Sequence, residues 1–237
     1  MMNRIVFLSL LLLMSSFAIA QLNLNKLKKS LTGESLTTEE IAAGLKEALT
    51  NGVSKGSDLV SQLDGYYKNP EIKIPFPAEV RQVETSLRQL GLGSEVDKFV
   101  ESLNRAAEDA AKEAKPIFVS AIKQMTIQDA WGILKGEQDA ATQYLNRTTS
   151  PALKEKFIPV IRQSLDKVNA TKYYSDLIRT YNKIPLVQKV NPNLDEYATD
   201  KAIQGLFVMI AREEKNIRAN PGARTSELLK KVFGNPQ

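Results

Sequence analysis

Two pairs of residues in this chain have the spacing of a nucleophile and its base. Ser120 and Lys123 stand three apart, and so do Ser164 and Lys167. In acyl-transfer enzymes of the cell envelope a lysine one helical turn from a serine can take its proton. The companion motifs of those enzymes are missing, however. Both pairs fall inside helical patterns, and a chain this rich in Ser and Lys places such pairs by chance. Carboxylates offer a second chemistry. Glu101 or Glu108 with Glu213 could serve as acid and base on a glycosidic bond. Yet Glu101–Arg105 and Glu108–Lys112 also have the i,i+4 spacing of ordinary helix-surface ion pairs. The 237 residues include no histidine and no cysteine. A Ser-His-Asp triad, a Cys-His pair, a structural zinc site and a His-bearing di-iron motif are thereby excluded. No calcium-loop pattern is present, and no cofactor or metal is implied.

What remains is a polar cluster and a set of aromatics. Asn104-Arg105-Ala106-Ala107-Glu108 interrupts an otherwise apolar helical stripe. On a helical wheel Asn104 lies at the edge of the stripe, Glu108 just beyond it, and Arg105 points away. Such a segment is either a polar groove for a ligand headgroup or a contact that fixes how two elements meet. Further on, Leu206 to Ala211 is apolar all the way round the wheel and is followed by Arg212 and Glu213. An all-apolar helix in a soluble protein is buried on every side. Arg212 shares a face with Val208, so Arg212 and Glu213 are expected to join Glu108 or another charged residue in a cluster at one end of the core. The candidate site is therefore Asn104, Arg105, Glu108, Arg212 and Glu213. Trp131, Tyr66, Tyr67, Tyr144, Tyr173, Tyr174 and Tyr181 could line a carbohydrate or lipid pocket, although aromatics at such positions also build cores.

The elements that position these residues are all helical. Thr37-Thr38-Glu39-Glu40 reads as a capping box, and Ile41, Leu45, Ala48, Gly52, Leu59 and Leu63 follow it at helical spacing. Asn69 to Pro77 holds three prolines and cannot be helical; Ile72, Ile74 and Phe76 alternate along an extended strap. Pro77 opens a helix that Gly91 closes. Residues 95–125 read as one long helix bent at Pro116, with an Ala-rich stretch from Ala106 to Ala114 that allows a close partner. Thr126-Ile127-Gln128-Asp129 caps a short helix. Gly136 separates it from another over 137–146, and Ser150-Pro151 opens the next. Helices over 171–183, 194–219 and 225–233 follow. No hairpin chemistry appears. The expectation is an all-α, bundle-like single domain over residues 37–237, with a central C-terminal helix and one Pro-rich strap.

The start of the chain has another character. Arg4, the apolar run Ile5–Met14 and Ala18-Ile19-Ala20 form a signal peptide over residues 1–20, with cleavage between Ala20 and Gln21. Residues 21–36 read as a flexible tether. The apolar run is about half the roughly 20 residues that span a bilayer, and no later segment is apolar for long enough. Lys+Arg number 32 against 27 Asp+Glu, a net charge of +5. The signs alternate, and the only basic cluster is Lys26, Lys28 and Lys29. A nucleic-acid partner is not expected.

Several segments carry a resemblance. They are Glu40–Leu49, Ile72–Pro77, Asn104–Glu108, Ala114–Phe118, Met125–Ala130, Ala140–Leu145 and Leu228–Gly234. In that order and over nearly the whole chain after residue 20, they resemble the bacterial domain of unknown function 4197 family. The resemblance implies an exported helical protein of this length and supplies no reaction, ligand or catalytic residue. From the residues themselves the first expectation is a non-catalytic periplasmic or secreted protein that binds a partner protein or a hydrophobic ligand. The alternatives are a carboxylate-based cell-wall glycan hydrolase and a structural or stress-protective envelope factor.

Overall fold

The structure is a computed structural model that describes residues 37–183, 185–186, 189–223, 226 and 230–232. The signal peptide expected over 1–20, the tether expected over 21–36 and most of the helix expected over 225–233 lie outside the described residues. Helix α1 (Thr38–Val60) begins one residue after Thr37 and buries Ile41, Leu45, Ala48, Leu49, Val53 and Val60. Its last turn departs from the expected stripe. Val60 is fully buried, whereas Leu59 and Leu63 are 43% and 75% exposed. The helix ends at Val60 and the chain turns through Asp64, at φ 70, so Leu63 no longer follows a helical register.

The strap then runs over the core and buries Ile72, Ile74 and Phe76. After Pro77 come a 3-10 turn (Ala78–Val80) and helix α2 (Arg81–Gln89). The long helix expected over 95–125 is two: α3 (Gly93–Ala111) and α4 (Ala114–Gln124). Pro116 explains the break. Its ring displaces the carbonyl four residues earlier, at Lys112, so the chain interrupts there and Pro116 lies in the first turn of α4, where no N–H is needed. The Ala-rich stretch behaves as expected: Ala106, Ala107, Ala110, Ala111 and Ala114 are all fully buried.

Helix α5 (Ile127–Lys135) has the expected capping box, with the Thr126 hydroxyl accepting from the Asp129 amide and the Asp129 carboxylate accepting from the Thr126 amide. The two helices expected on either side of Ser150 are one, α6 (Ala140–Asp166), with Pro151 and Pro159 inside it. Pro151 frees only the Arg147 carbonyl, and the turn before it is already biased to bend: Thr148, Thr149 and Ser150 donate their hydroxyls to the carbonyls of Tyr144, Leu145 and Asn146 at 2.9, 2.6 and 2.7 Å. Helices α7 (Ala170–Tyr181) and α8 (Leu194–Ala219) complete the all-α architecture. There is no strand among the described residues, and Thr38–Gln237 is one unit.

Helix α8 packs against α1, α3, α6 and α7 and is the central element. It is not buried on every side. Asp200, Gln204, Val208 and Arg212 form an exposed i,i+4 strip, with Val208 41% exposed. The six-residue apolar run thus surfaces once per turn. Whereas a Cβ added at Gly56 of α1 would meet Ile210 Cγ1 at an ordinary 3.4 Å, the strap comes unusually close to α8 at Gly205, where an added Cβ would lie 2.8 Å from Tyr66 Cε1 and 3.1 Å from Ile72 Cβ. Gly205→Ala improves helix propensity but overpacks this contact. It is expected to lower stability by about 1–3 kcal/mol, read as a lower urea midpoint; a stabilised variant would contradict the tight seating of the strap.

Candidate functional site

Asn104 and Glu108 are more deeply buried than their wheel positions suggest, at 0% and 3% exposed. Asn104 treats the strap as a β-partner. Its Oδ1 accepts from the Ile74 amide at 2.8 Å, and its Nδ2 donates to the Ile74 carbonyl at 2.9 Å. An extended segment without a sheet has unpaired backbone groups, and Asn104 supplies both a donor and an acceptor for one of its buried residues. Glu108 supplies an acceptor to the preceding turn. Its Oε1 accepts from the amides of Tyr66 at 3.0 Å and Tyr67 at 3.1 Å. The Tyr66 hydroxyl donates to the Ala202 carbonyl of α8 at 2.6 Å. Burial, with the Glu108 charge, holds that phenol far above its ordinary pKa.

Arg105 does not point away from this cluster but closes over it. Nη1 donates to Glu108 Oε2 at 2.8 Å, and Nη2 to Asp64 Oδ1 at 2.8 Å and Glu101 Oε1 at 3.0 Å. The guanidinium also lies 5.2 Å from the Tyr67 ring centroid. Burial alone would lower the Arg105 pKa, but the hydrogen bonds to Glu108, Asp64 and Glu101 raise it above its ordinary value. Lys68, and then Arg105, hold Asp64 below the usual carboxylate range.

Arg212 and Glu213 are placed elsewhere. Arg212 lies on the exposed strip and pairs with Glu71 at 3.3 Å, both side chains more than half exposed, a geometry that contributes little stability. The expected enclosure of Arg212 fails because the face it shares with Val208 is the solvent face. Glu213 is 7% exposed and accepts from Lys55 of α1 at 2.7 Å. The carboxylates weighed for glycoside hydrolysis are therefore each committed to another group, Glu101 to Arg105, Glu108 to backbone amides and Arg105, and Glu213 to Lys55.

A groove of about 720 Å³ beside this cluster is open to a ligand. Helices α3 and α7 each pack on α6 and α8, and the groove runs between them. Phe76 of the strap, Phe99 and Tyr174 form its aromatic floor, with ring centroids 5.1 Å apart for Phe76–Phe99 and 6.2 Å for Phe99–Tyr174. Leu87, Leu92, Val96 and Leu177 extend the apolar surface toward α2, and Val168 and Tyr173 extend it toward the end of α6. Glu101 and Arg105 belong to its wall. Burial, with the Glu79 charge, pushes the Tyr174 phenol up to about 12, so it stays a neutral ring at physiological pH.

The chain matches, over residues 35–234, the sequence model of a family described as "Protein of unknown function (DUF4197)". The chain belongs to the DUF4197 family. No curated protein and no solved structure matches it. Two of the segments that point to DUF4197, Ile72–Pro77 and Asn104–Glu108, meet in the structure through the Asn104–Ile74 bonds. A third, Ala140–Leu145, meets a residue that the sequence reading passed over. Glu214 of α8 accepts from the Ala141 amide at 3.0 Å and from the Thr142 amide and hydroxyl at 2.8 Å.

In this DUF4197 member the aromatics separate into roles. Tyr173 and Tyr174 line the groove, Tyr66 is core, and Trp131 and Tyr144 face Lys135 and Arg147 through cation–π contacts. Of the Ser-x-x-Lys pairs, Ser164 and Lys167 also line the groove. The Ser164 hydroxyl donates to Asp109 Oδ2 at 3.2 Å rather than engaging Lys167. Ser120 lies on the exposed face of α4 and accepts from Gln124.

Proposed function

We propose that this protein is a non-catalytic binding module of the cell envelope and that the groove between α3 and α7 holds a hydrophobic ligand. The groove itself carries the reading. Its volume falls within the 300–1,000 Å³ range typical of small-molecule sites, and its lining combines an aromatic floor with a few charged residues. The buried polar residues most suggestive of chemistry are occupied instead in holding backbone groups, as Asn104, Glu108 and Glu214 do. Arg4, the apolar run after it and Ala18-Ile19-Ala20 support export and cleavage between Ala20 and Gln21, which would place the module in the periplasm or outside the cell.

A neutral fluorescent apolar probe, N-phenyl-1-naphthylamine, tests the groove. Its emission should rise on titration with the protein, and Ser102→Trp, which puts an indole into the groove, should abolish most of the rise. An unchanged signal in that variant would move the ligand site elsewhere. Release of muropeptides from purified peptidoglycan would overturn the non-catalytic reading in favour of a glycan hydrolase.

A further inference from the structure

The charges around the groove select among hydrophobic ligands. Resting on the reading of the groove as a binding site, we propose that its ligand is a single-chain amphiphile with a carboxylate head, a free long-chain fatty acid. The alkyl chain lies along Phe99 and Tyr174, and the head meets Lys167.

Helix α3 presents Glu95, Lys98, Glu101, Arg105 and Asp109 along the groove, and internal partners hold all five. Lys98 pairs with Glu95 at 3.0 Å. Arg105 bonds Glu101, Asp64 and Glu108. Asp109 pairs with Lys112 at 2.8 Å and accepts from Ser164. Lys167, at the C-terminal end of α6, is exposed, lines the groove, and has no side-chain hydrogen bond or ion pair among the described residues. Its charge reaches Asp109 only as a minor influence beside the Lys112 contact. Asp166, the adjacent carboxylate, lies outside the groove lining, and its charge acts on Arg162. Lys167 is thus the one charged side chain of the lining without a side-chain partner among the described residues. A ligand that brings a carboxylate supplies that partner.

The rest of the geometry fits a single chain. From Asp109 to Glu95 the groove follows about 21 Å of helix α3 at 1.5 Å per residue. Val168 and Tyr173, 55% and 67% exposed, flank the Lys167 end, so apolar surface begins immediately beside the charge. A helix with its side chains is roughly 10–12 Å across and over this length would displace well over the 720 Å³ available. An extended alkyl chain would not. One lysine supplies one positive charge, which a carboxylate matches and a phosphomonoester head, at about −1.5 to −2, exceeds.

Calorimetric titration of the purified protein near neutral pH, below micellar concentrations, separates the possibilities. Dodecanoate should bind about tenfold more tightly than dodecanol, with an advantage that shrinks as salt is added. Lys167→Ala should erase that advantage and leave the alcohol unaffected, whereas Ser102→Trp should weaken both. Equal affinities for acid and alcohol, or an unaltered Lys167→Ala variant, would overturn the carboxylate head while leaving the groove reading intact. Tighter binding of dodecylphosphocholine or dodecyltrimethylammonium than of dodecanoate would overturn it as well. No binding of either dodecyl probe, or no effect of Ser102→Trp on them, would remove both the groove and its ligand.

Discussion

Glu214→Ala is expected to destabilise the protein by about 3–5 kcal/mol, the range for removing one partner of a buried charged pair. The reason lies at the corner between α5 and α6. Helix α6 begins with amides that have no partner within the helix, and Asp139, at its N-cap, makes no side-chain cap bond. The cap comes from another helix. Both oxygens of Glu214, 6% exposed on α8, hold the Ala141 and Thr142 amides, and its charge favours that helix end. Arg218, one turn further along α8, donates to Glu214 Oε1 at 2.8 Å and to the Ile133 carbonyl near the end of α5 at 2.9 Å. One Glu–Arg pair therefore serves the end of one helix and the start of the next. Alanine would strand two buried amides and remove the anion facing Arg218. Urea unfolding should show the loss at unchanged m, with a melting temperature lower by roughly 10 °C for a domain of this size. Glu214→Gln keeps an acceptor and should lose less. A cost below about 1 kcal/mol for the alanine variant would mean that water replaces the carboxylate and that α6 needs no cap from α8.

How far the sequence could be read depended on the range of each interaction. The strap was legible because Pro70, Pro75 and Pro77 rule out helix locally. The limits of α8 were legible because Pro192 and Pro221 bracket it. Thr126 and Asp129 are three residues apart, and their box appeared as expected. The division between α3 and α4 is not legible from Pro116 alone, because a proline within an apolar stripe fits a bend as well as the break it produces here. The cluster at Asn104–Glu108 was visible as an interruption of an apolar stripe, but its partners, Ile74 and Tyr66, are 30 and 42 residues away. Glu214 lies 73 residues from the amide of Ala141, and no local pattern announces a cap supplied across such a distance. A signal did exist. Ile210, Glu214 and Ile217 share one helical face, so the carboxylate falls on a buried seam and must find partners. Glu213, the residue chosen instead, is one position and about 100° away. The groove was illegible for a different reason: Ser102, Lys98 and Glu95 look like an ordinary solvated face until α7 is placed opposite them.

Phe207→Ala is expected to cost about 3–5 kcal/mol, and the comparison with its neighbour makes the test specific. Phe207 is 6% exposed and packs edge-on against Phe118 of α4, centroids 5.7 Å apart with the rings 72° from parallel. Phe118 is fully buried, so truncating its partner opens a space that the α4–α8 contact cannot easily close. Relaxation is available on one side only. Phe207 also borders a shallow surface depression of about 400 Å³ shared with Ile203, Val208 and Ala211, into which those side chains can settle. That places the expected cost toward the lower end of the range. Val208, the next residue, is 41% exposed, and its truncation to Ala should change stability by no more than about 0.5–1 kcal/mol. The two variants remove neighbouring apolar side chains from one helix with similar propensity effects, so the difference between them reports how much apolar surface each side chain buries. If Phe207→Ala and Val208→Ala shift the urea midpoint equally, α8 rotates away from α4 in solution, and the exposed strip through Asp200, Gln204, Val208 and Arg212 is misplaced. If Phe207→Ala is the more costly by about 2 kcal/mol or more, α8 is central to the core through all but that one strip.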